Sequence, residues 1–123
     1  MYQTAVALKK FFSGFGIPAY PINTVDKDAE LPYITYSIAE PEWGQKATMY
    51  AQVFDRIRSN SYIFQKADQI TAAIGEGKVI PYDDGSGYLV IWPETPLIQL
   101  MVDGEIRSAY INLSINAYHT PGG

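Results

Sequence analysis

The clearest period in the chain runs from Ser61 to Ile74, where Ile63, Ala67, Ile70 and Ile74 recur at helical spacing and Gln65, Lys66, Asp68 and Gln69 fall on the opposite side. Apolar residues three and four apart share one face of a helix, so this spacing predicts an amphipathic helix. Ser59, Asn60 and Ser61 each carry a side-chain oxygen able to cap its free N–H groups, and Gly75 and Gly77 stop it. A shorter helix is predicted from Met1 to Ser13. Ala5, Leu8 and Phe12 form its stripe, Tyr2 and Val6 lie beside it, and Lys9 and Lys10 face away. Gly14 and Gly16 end it, and Pro18 and Pro21 hold the following residues extended.

Elsewhere the period is two. Leu31 to Ala39 sets Ile34, Tyr36 and Ile38 on one face and Tyr33, Thr35 and Ser37 on the other. After the turn-forming Glu40-Pro-Glu-Trp-Gly-Gln45, the long segment Lys46 to Arg58 sets Met49, Ala51 and Val53 against Tyr50, Gln52 and Phe54, and the pair reads as an antiparallel hairpin. Lys78 to Tyr82 and Tyr88 to Trp92 flank the connection Asp83-Asp-Gly-Ser-Gly87. Pro93-Glu-Thr-Pro96 is expected to break the chain before a strand from Leu97 to Val102. Asp103-Gly104 is a strong two-residue hairpin signal leading into Ile106 to Tyr118, where Ile111, Leu113, Ile115 and Ala117 alternate with Tyr110, Asn112, Ser114, Asn116 and Tyr118. The tail from His119 to Gly123 is expected to fray.

This order of elements predicts a single α+β domain of two layers, a mostly antiparallel sheet with both helices on one face. The other face would carry Tyr33, Tyr50, Phe54, Tyr110 and Tyr118 among Thr, Ser, Asn and Gln. Polar residues alone describe a wetted face; interleaved large aromatics describe one that is partly covered.

Composition narrows the chemistry. In 123 residues there is no Cys and one His, which removes thiol nucleophiles, disulfides and Cys-ligated metals and leaves little for a Ser–His–Asp triad or a multi-His site. A net charge of -4 argues against tight nucleic-acid binding, which needs surplus Lys and Arg. With no long apolar run and with its first charges placed after its apolar residues, the chain reads as cytosolic and not membrane-associated. Ten Tyr make it rich in phenols.

No candidate motif builds an enzyme. Asp26, Asp28 and Glu30 alternate like a calcium loop but lack its turn Gly and its bidentate Glu, so they read as a solvated acidic loop, and no metal or cofactor is expected. Asp83 to Gly87 has two carboxylates where a phosphate cradle needs Lys, and reads as a hairpin tip that touches a partner if it has a role. Arg56 and Arg58 point the same way, with Lys46 and Arg107 as neighbours, and form either a basic strip for phosphates or carboxylates or a solvated strand end. Trp43 is either folded onto the sheet or inserted into a neighbour. His119 stands in the tail without a nucleophile, and no inward carboxylate pair stands out.

Leu31-Pro-Tyr-Ile-Thr-Tyr-Ser37, following an N-terminal helix and a charged loop and followed by a tryptophan loop, a long strand, a capped helix and a closing β segment, resembles the tail-terminator and tail-completion (head–tail joining) proteins of long-tailed bacteriophages and prophages. The likeness covers nearly the whole chain in element order, with Leu-Pro-Tyr its one short motif. It implies a non-enzymatic virion protein that forms a ring, typically a hexamer, on the finished tail tube, stops polymerisation and offers a face to the head–tail connector protein while genome DNA passes without tight binding. In such a ring Trp43, Tyr50, Phe54, Tyr110 and Tyr118, with Arg56 and Arg58, are the candidate subunit contacts, and Glu42, Gln45, Asp83 and Asp84 are candidate contacts to the tail-tube protein or the connector. The rival readings are another neck or minor virion component, a generic self-associating binding module, and a small-ligand protein or enzyme, which would need a deep pocket with convergent polar groups.

Overall fold

The computed structural model describes residues 1–40, 45–56 and 61–119. Glu42, Trp43, Arg58, the capping candidates Ser59 and Asn60, and residues 120–123 lie outside these, so the expectations placed on them stay with the sequence.

The chain begins with helix α1 (Tyr2–Phe12), which passes into a single 3-10 turn, Ser13–Phe15, and ends at Gly16 with φ 84. Then come β1 (Ala19–Pro21), β2 (Tyr33–Tyr36), β3 (Lys46–Arg56), α2 (Ser61–Ile74), β4 (Lys78–Pro81), β5 (Gly87–Asp103) and β6 (Ile106–His119). The strands form one six-stranded sheet in the order β1-β2-β3-β6-β5-β4. Among the described residues only β1 and β2 pair in parallel. The fold is therefore α+β, with both helices on one face of a mostly antiparallel sheet.

The helix α2 buries Ile63, Ala67, Ile70 and Ile74, the stripe its spacing predicts. In α1 the buried set is Thr4, Ala7, Leu8 and Phe12, rotated from the predicted stripe because Thr4 finds polar partners inside and Ala5 does not need to be buried. The inner face of the sheet supplies Ile34, Tyr36, Met49, Ala51, Val53, Leu89, Ile91, Ala109, Ile111, Leu113 and Ile115. Burying each large aliphatic side chain contributes roughly 1.5–3 kcal/mol, which makes this one continuous core the main source of stability.

Two departures from the predicted strands matter for the surface. Residues 19–21, expected only to be extended, pair in parallel with β2 as an edge strand, where the missing N–H of Pro21 is harmless. Pro93 to Pro96 does not split the next segment into separate strands. Instead β5 runs through a large bulge in which Glu94 to Leu97 face the single residue Asn112, because Pro93 pairs with Leu113 and Ile98 with Ile111. The odd excess flips the alternation, so Leu89 and Ile91 point inward before the bulge and Ile98, Leu100 and Val102 after it. Asn112 Nδ2 donates to the Pro96 carbonyl and pins the bulge to the sheet.

Candidate interaction face

The sheet's second face has no helix layer among the described residues. Its rows follow from the register: Tyr33 lies opposite Phe54 and Phe54 opposite Ser108; Gln52 lies opposite Tyr110; Tyr50 opposite Asn112; Tyr88 opposite Tyr118; Trp92 opposite Ser114. The five aromatics expected here, Tyr33, Tyr50, Phe54, Tyr110 and Tyr118, are all on this face and all half-buried. Sequence reading missed Tyr20, Tyr88 and Trp92, which join them. Tyr20 was hidden in a strand too short to show alternation; Tyr88 and Trp92 do alternate with Leu89 and Ile91, a signal that could have found them.

The aromatics are organised in pairs. Tyr20 meets Tyr33 edge-on at 5.8 Å, and Tyr33 meets Phe54 at 5.4 Å. Tyr50 and Tyr110 stack at 4.8 Å, and Tyr88 and Tyr118 at 5.1 Å. Such pairs hold rings in fixed orientations and add about 0.5–1.5 kcal/mol beyond burial. Burial, and then the neighbouring Tyr50 ring, push the Tyr110 phenol above its ordinary range.

Polar side chains between the rings are bonded to each other. Gln52 Nε2 donates to Ser108 Oγ at 3.1 Å, and Asn116 Nδ2 to the Tyr118 hydroxyl at 2.9 Å. Ser114 Oγ donates to Glu94 Oε1 at 2.6 Å, and Lys46 Nζ pairs with the same carboxylate at 2.8 Å while lying 6.0 Å from the Trp92 ring centroid. Both bonds hold the Glu94 carboxyl below its usual range, that from Lys46 most. Beside the bulge lies an open groove of about 770 Å³, lined by Ser37, Lys46, Tyr50, Glu94, Tyr110 and Asn112 among others. A smaller hollow of about 240 Å³ lies at the far end, between Tyr33, Phe54, Met101 and Ile106.

Of the basic strip weighed against a solvated strand end, Arg58 lies outside the described residues, and Lys46 and Arg107 do not join Arg56. Lys46 and Arg56 begin and end β3, roughly 30 Å apart at strand rise. Arg107 pairs with Asp55, one step out of phase with Arg56, and so belongs to the other face. Arg56 stays exposed at the end of the aromatic face. Gln45 is exposed just before β3. The 83–87 tip is closed on itself: Asp84 Oδ1 accepts the Ser86 N–H at 2.9 Å and the Ser86 hydroxyl at 2.6 Å, which lowers the Asp84 carboxyl below its ordinary range, and Asp83 pairs with Lys10 of α1 at 3.1 Å. In the acidic loop, Asp26 Oδ1 accepts the Asp28 N–H at 3.0 Å, a local turn. His119 is exposed at the end of β6. Among the described residues, no group of three or more His, Asp or Glu is placed to hold a metal ion, and no helix is long and apolar enough to cross a membrane.

No protein-family model matches this chain, and no curated protein does. Seven solved chains match it. One of them superposes with a TM-score of 0.66 over 98% of this chain and 96% of its own length, at 17% identity. That likeness is one of fold.

Proposed function

We propose that this chain is a structural virion-assembly protein that closes into a ring on the end of a phage tail tube, ends tube polymerisation and joins the tail to the head. The observation that carries this reading is the aromatic second face, eight rings on the side of a two-layer domain that no element of the described chain covers. Rigid, amphipathic Tyr and Trp side chains give contact area at low entropic cost and keep their polar atoms satisfied at a wet rim, the composition that favours interfaces. The element order of the sequence, with its resemblance to tail-terminator proteins, supplies the kind of assembly.

In the ring each subunit sets this face against a different patch of its neighbour, because a cyclic contact is head-to-tail. Tyr50, Phe54, Tyr110 and Tyr118 supply the buried centre and Arg56 and Lys46 its charged rim. Gln45, Asp83 and Asp84 meet the tail-tube protein or the head–tail connector. The acidic balance of the chain leaves passing DNA ungripped.

The test is tube assembly. Tail-tube protein polymerised with this chain should give shorter, end-capped tubes by electron microscopy, with the cap absent when Tyr50 and Tyr110 are replaced by Ser. Tube lengths indifferent to the chain would defeat the proposal.

A further inference from the structure

We infer that the outer half of β5, Ile98 to Asp103, is an edge built to pair with the same segment of a second copy of this chain. This contact runs along a sheet edge, with Gln99 and Met101 on the aromatic side and Ile98, Leu100 and Val102 on the helix side, and goes beyond the ring reading.

The observation is a difference among the free edges. At one side of the sheet, β1 is three residues long, ends in Pro21 and follows Pro18. At the other side, β4 begins with Lys78 and ends in Pro81. Short length, Pro and Lys are the devices that stop an edge from templating another strand. However, β4 pairs only with Tyr88 to Ile91 of β5. Beyond the bulge, β5 pairs with β6 on one side, and among the described residues no strand pairs on the other. That free stretch, Ile-Gln-Leu-Met-Val-Asp, holds no Pro, Lys or Arg. Its Leu100, Met101 and Val102 are 41%, 50% and 58% exposed.

The occupant follows from self-complementarity. In an antiparallel pair related by a two-fold axis normal to the sheet, each face continues across the seam, so facing residues must have the same parity. Centring the axis on Leu100 sets Leu100 against the partner's Leu100, Ile98 against the partner's Val102, and Gln99 against the partner's Met101. The inward side then joins Ile98, Leu100 and Val102 of both copies into one apolar strip. The only charge in the stretch, Asp103, falls opposite the partner's Leu97, so no like charges meet. Cross-strand pairs of this kind stabilise a sheet, and like charges directly opposite destabilise it. The bulge creates the match, since without its odd excess this apolar set would point to the other face.

A contact this short lies below the roughly 1,200 Å² of a standard interface, so the dimer should be weak, with Kd on the order of 10–100 µM. It is tested by sedimentation velocity in the Tyr50→Ser/Tyr110→Ser background, which removes the proposed ring contact, so failure of the ring and failure of the edge are read separately. The background protein should pass from monomer to dimer across that range. Leu100→Lys and Leu100→Glu should each stay monomeric, because the axis brings two like charges together, while an equimolar mixture of the two should regain the dimer. Denaturant unfolding confirms that both variants are folded, as a substitution at so exposed a site permits. A background protein that stays monomeric throughout, a Leu100→Lys variant that dimerises as well as its parent, or a mixture that fails to recover overturns the proposal.

Discussion

Tyr50 of β3 and Tyr110 of β6 stack with ring centroids 4.8 Å apart and planes 19° from parallel, although neither faces the other in the register. Tyr50 lies opposite Asn112 and Tyr110 opposite Gln52, so the rings meet along the diagonal. This geometry fixes two half-exposed rings as one platform at the middle of the open face. Replacing Tyr110 with Ser should cost about 1–3 kcal/mol of fold stability, since it removes both the aromatic pair and the buried part of the ring. Self-association should be lost as well, since a central aromatic anchor typically costs about 2 kcal/mol or more at an interface. Comparing denaturant midpoints with light-scattering masses separates the two effects.

On the inner face Tyr36 stacks on Phe12 at 4.8 Å, fully buried, and its hydroxyl has no hydrogen-bond partner among the described residues. Burial pushes its phenol up to about 12 from an ordinary value of 10.0. The folded state therefore keeps a proton that the unfolded chain releases, and stability present below pH 10 should fall progressively up to about pH 12. The loss is roughly 2–3 kcal/mol at one pKa unit per 1.36 kcal/mol. Tyr36→Phe should retain the stack, remove the orphan hydroxyl and stabilise the fold by about 1 kcal/mol. It should also flatten the alkaline limb of stability against pH, measured by urea unfolding.

Acid should act through another cluster. Glu40 takes the Met1 ammonium at 2.8 Å and the Thr4 hydroxyl, and the same Thr4 oxygen meets the Tyr82 hydroxyl at 2.9 Å. The ammonium and then Thr4 hold the Glu40 carboxyl below its ordinary value. A lowered carboxylate contributes stability above its unfolded pKa that is lost as pH falls through the folded one. Glu40→Gln should flatten the acid limb below about pH 4. Thr4→Val, which strands the buried Tyr82 hydroxyl, should cost about 1–2 kcal/mol at neutral pH.

At the start of β5, Gly87 is buried opposite His119, and a Cβ there would fall inside the Tyr118 carbonyl oxygen. Since the obstacle is backbone, the strand itself must shift. Gly87→Ala should destabilise by about 2–4 kcal/mol and increase amide exchange at Tyr88 and Tyr118, with α2 little affected.

What could be read in advance follows from how far each signal reaches. The stripe of α2 and the alternation of β6 are local repeats set against one large core, so Ile63, Ala67, Ile70, Ile74 and the inward residues of β6 were legible, and with them the aromatic set Tyr33, Tyr50, Phe54, Tyr110 and Tyr118. The bulge was not, because Pro93 and Pro96 signal a break, and only pairing with β6 shows that the strand continues with its parity reversed. Likewise β1 is defined by its partner, as three residues carry no period. Lys46 and Arg107 do not join Arg56 because strand length and parity, which no list of charges carries, separate them.

The central claim, that the aromatic face is an interface closing a ring, is tested most directly by the mass of the assembled species. Native mass or multi-angle light scattering, on the purified chain alone and with tail-tube protein, should give ring-sized species at least on the tube, and the Tyr50→Ser/Tyr110→Ser variant should lose them while keeping its fold. A chain that stays strictly monomeric and neither caps nor shortens tubes, or a folded double variant that assembles like wild type, would contradict the account.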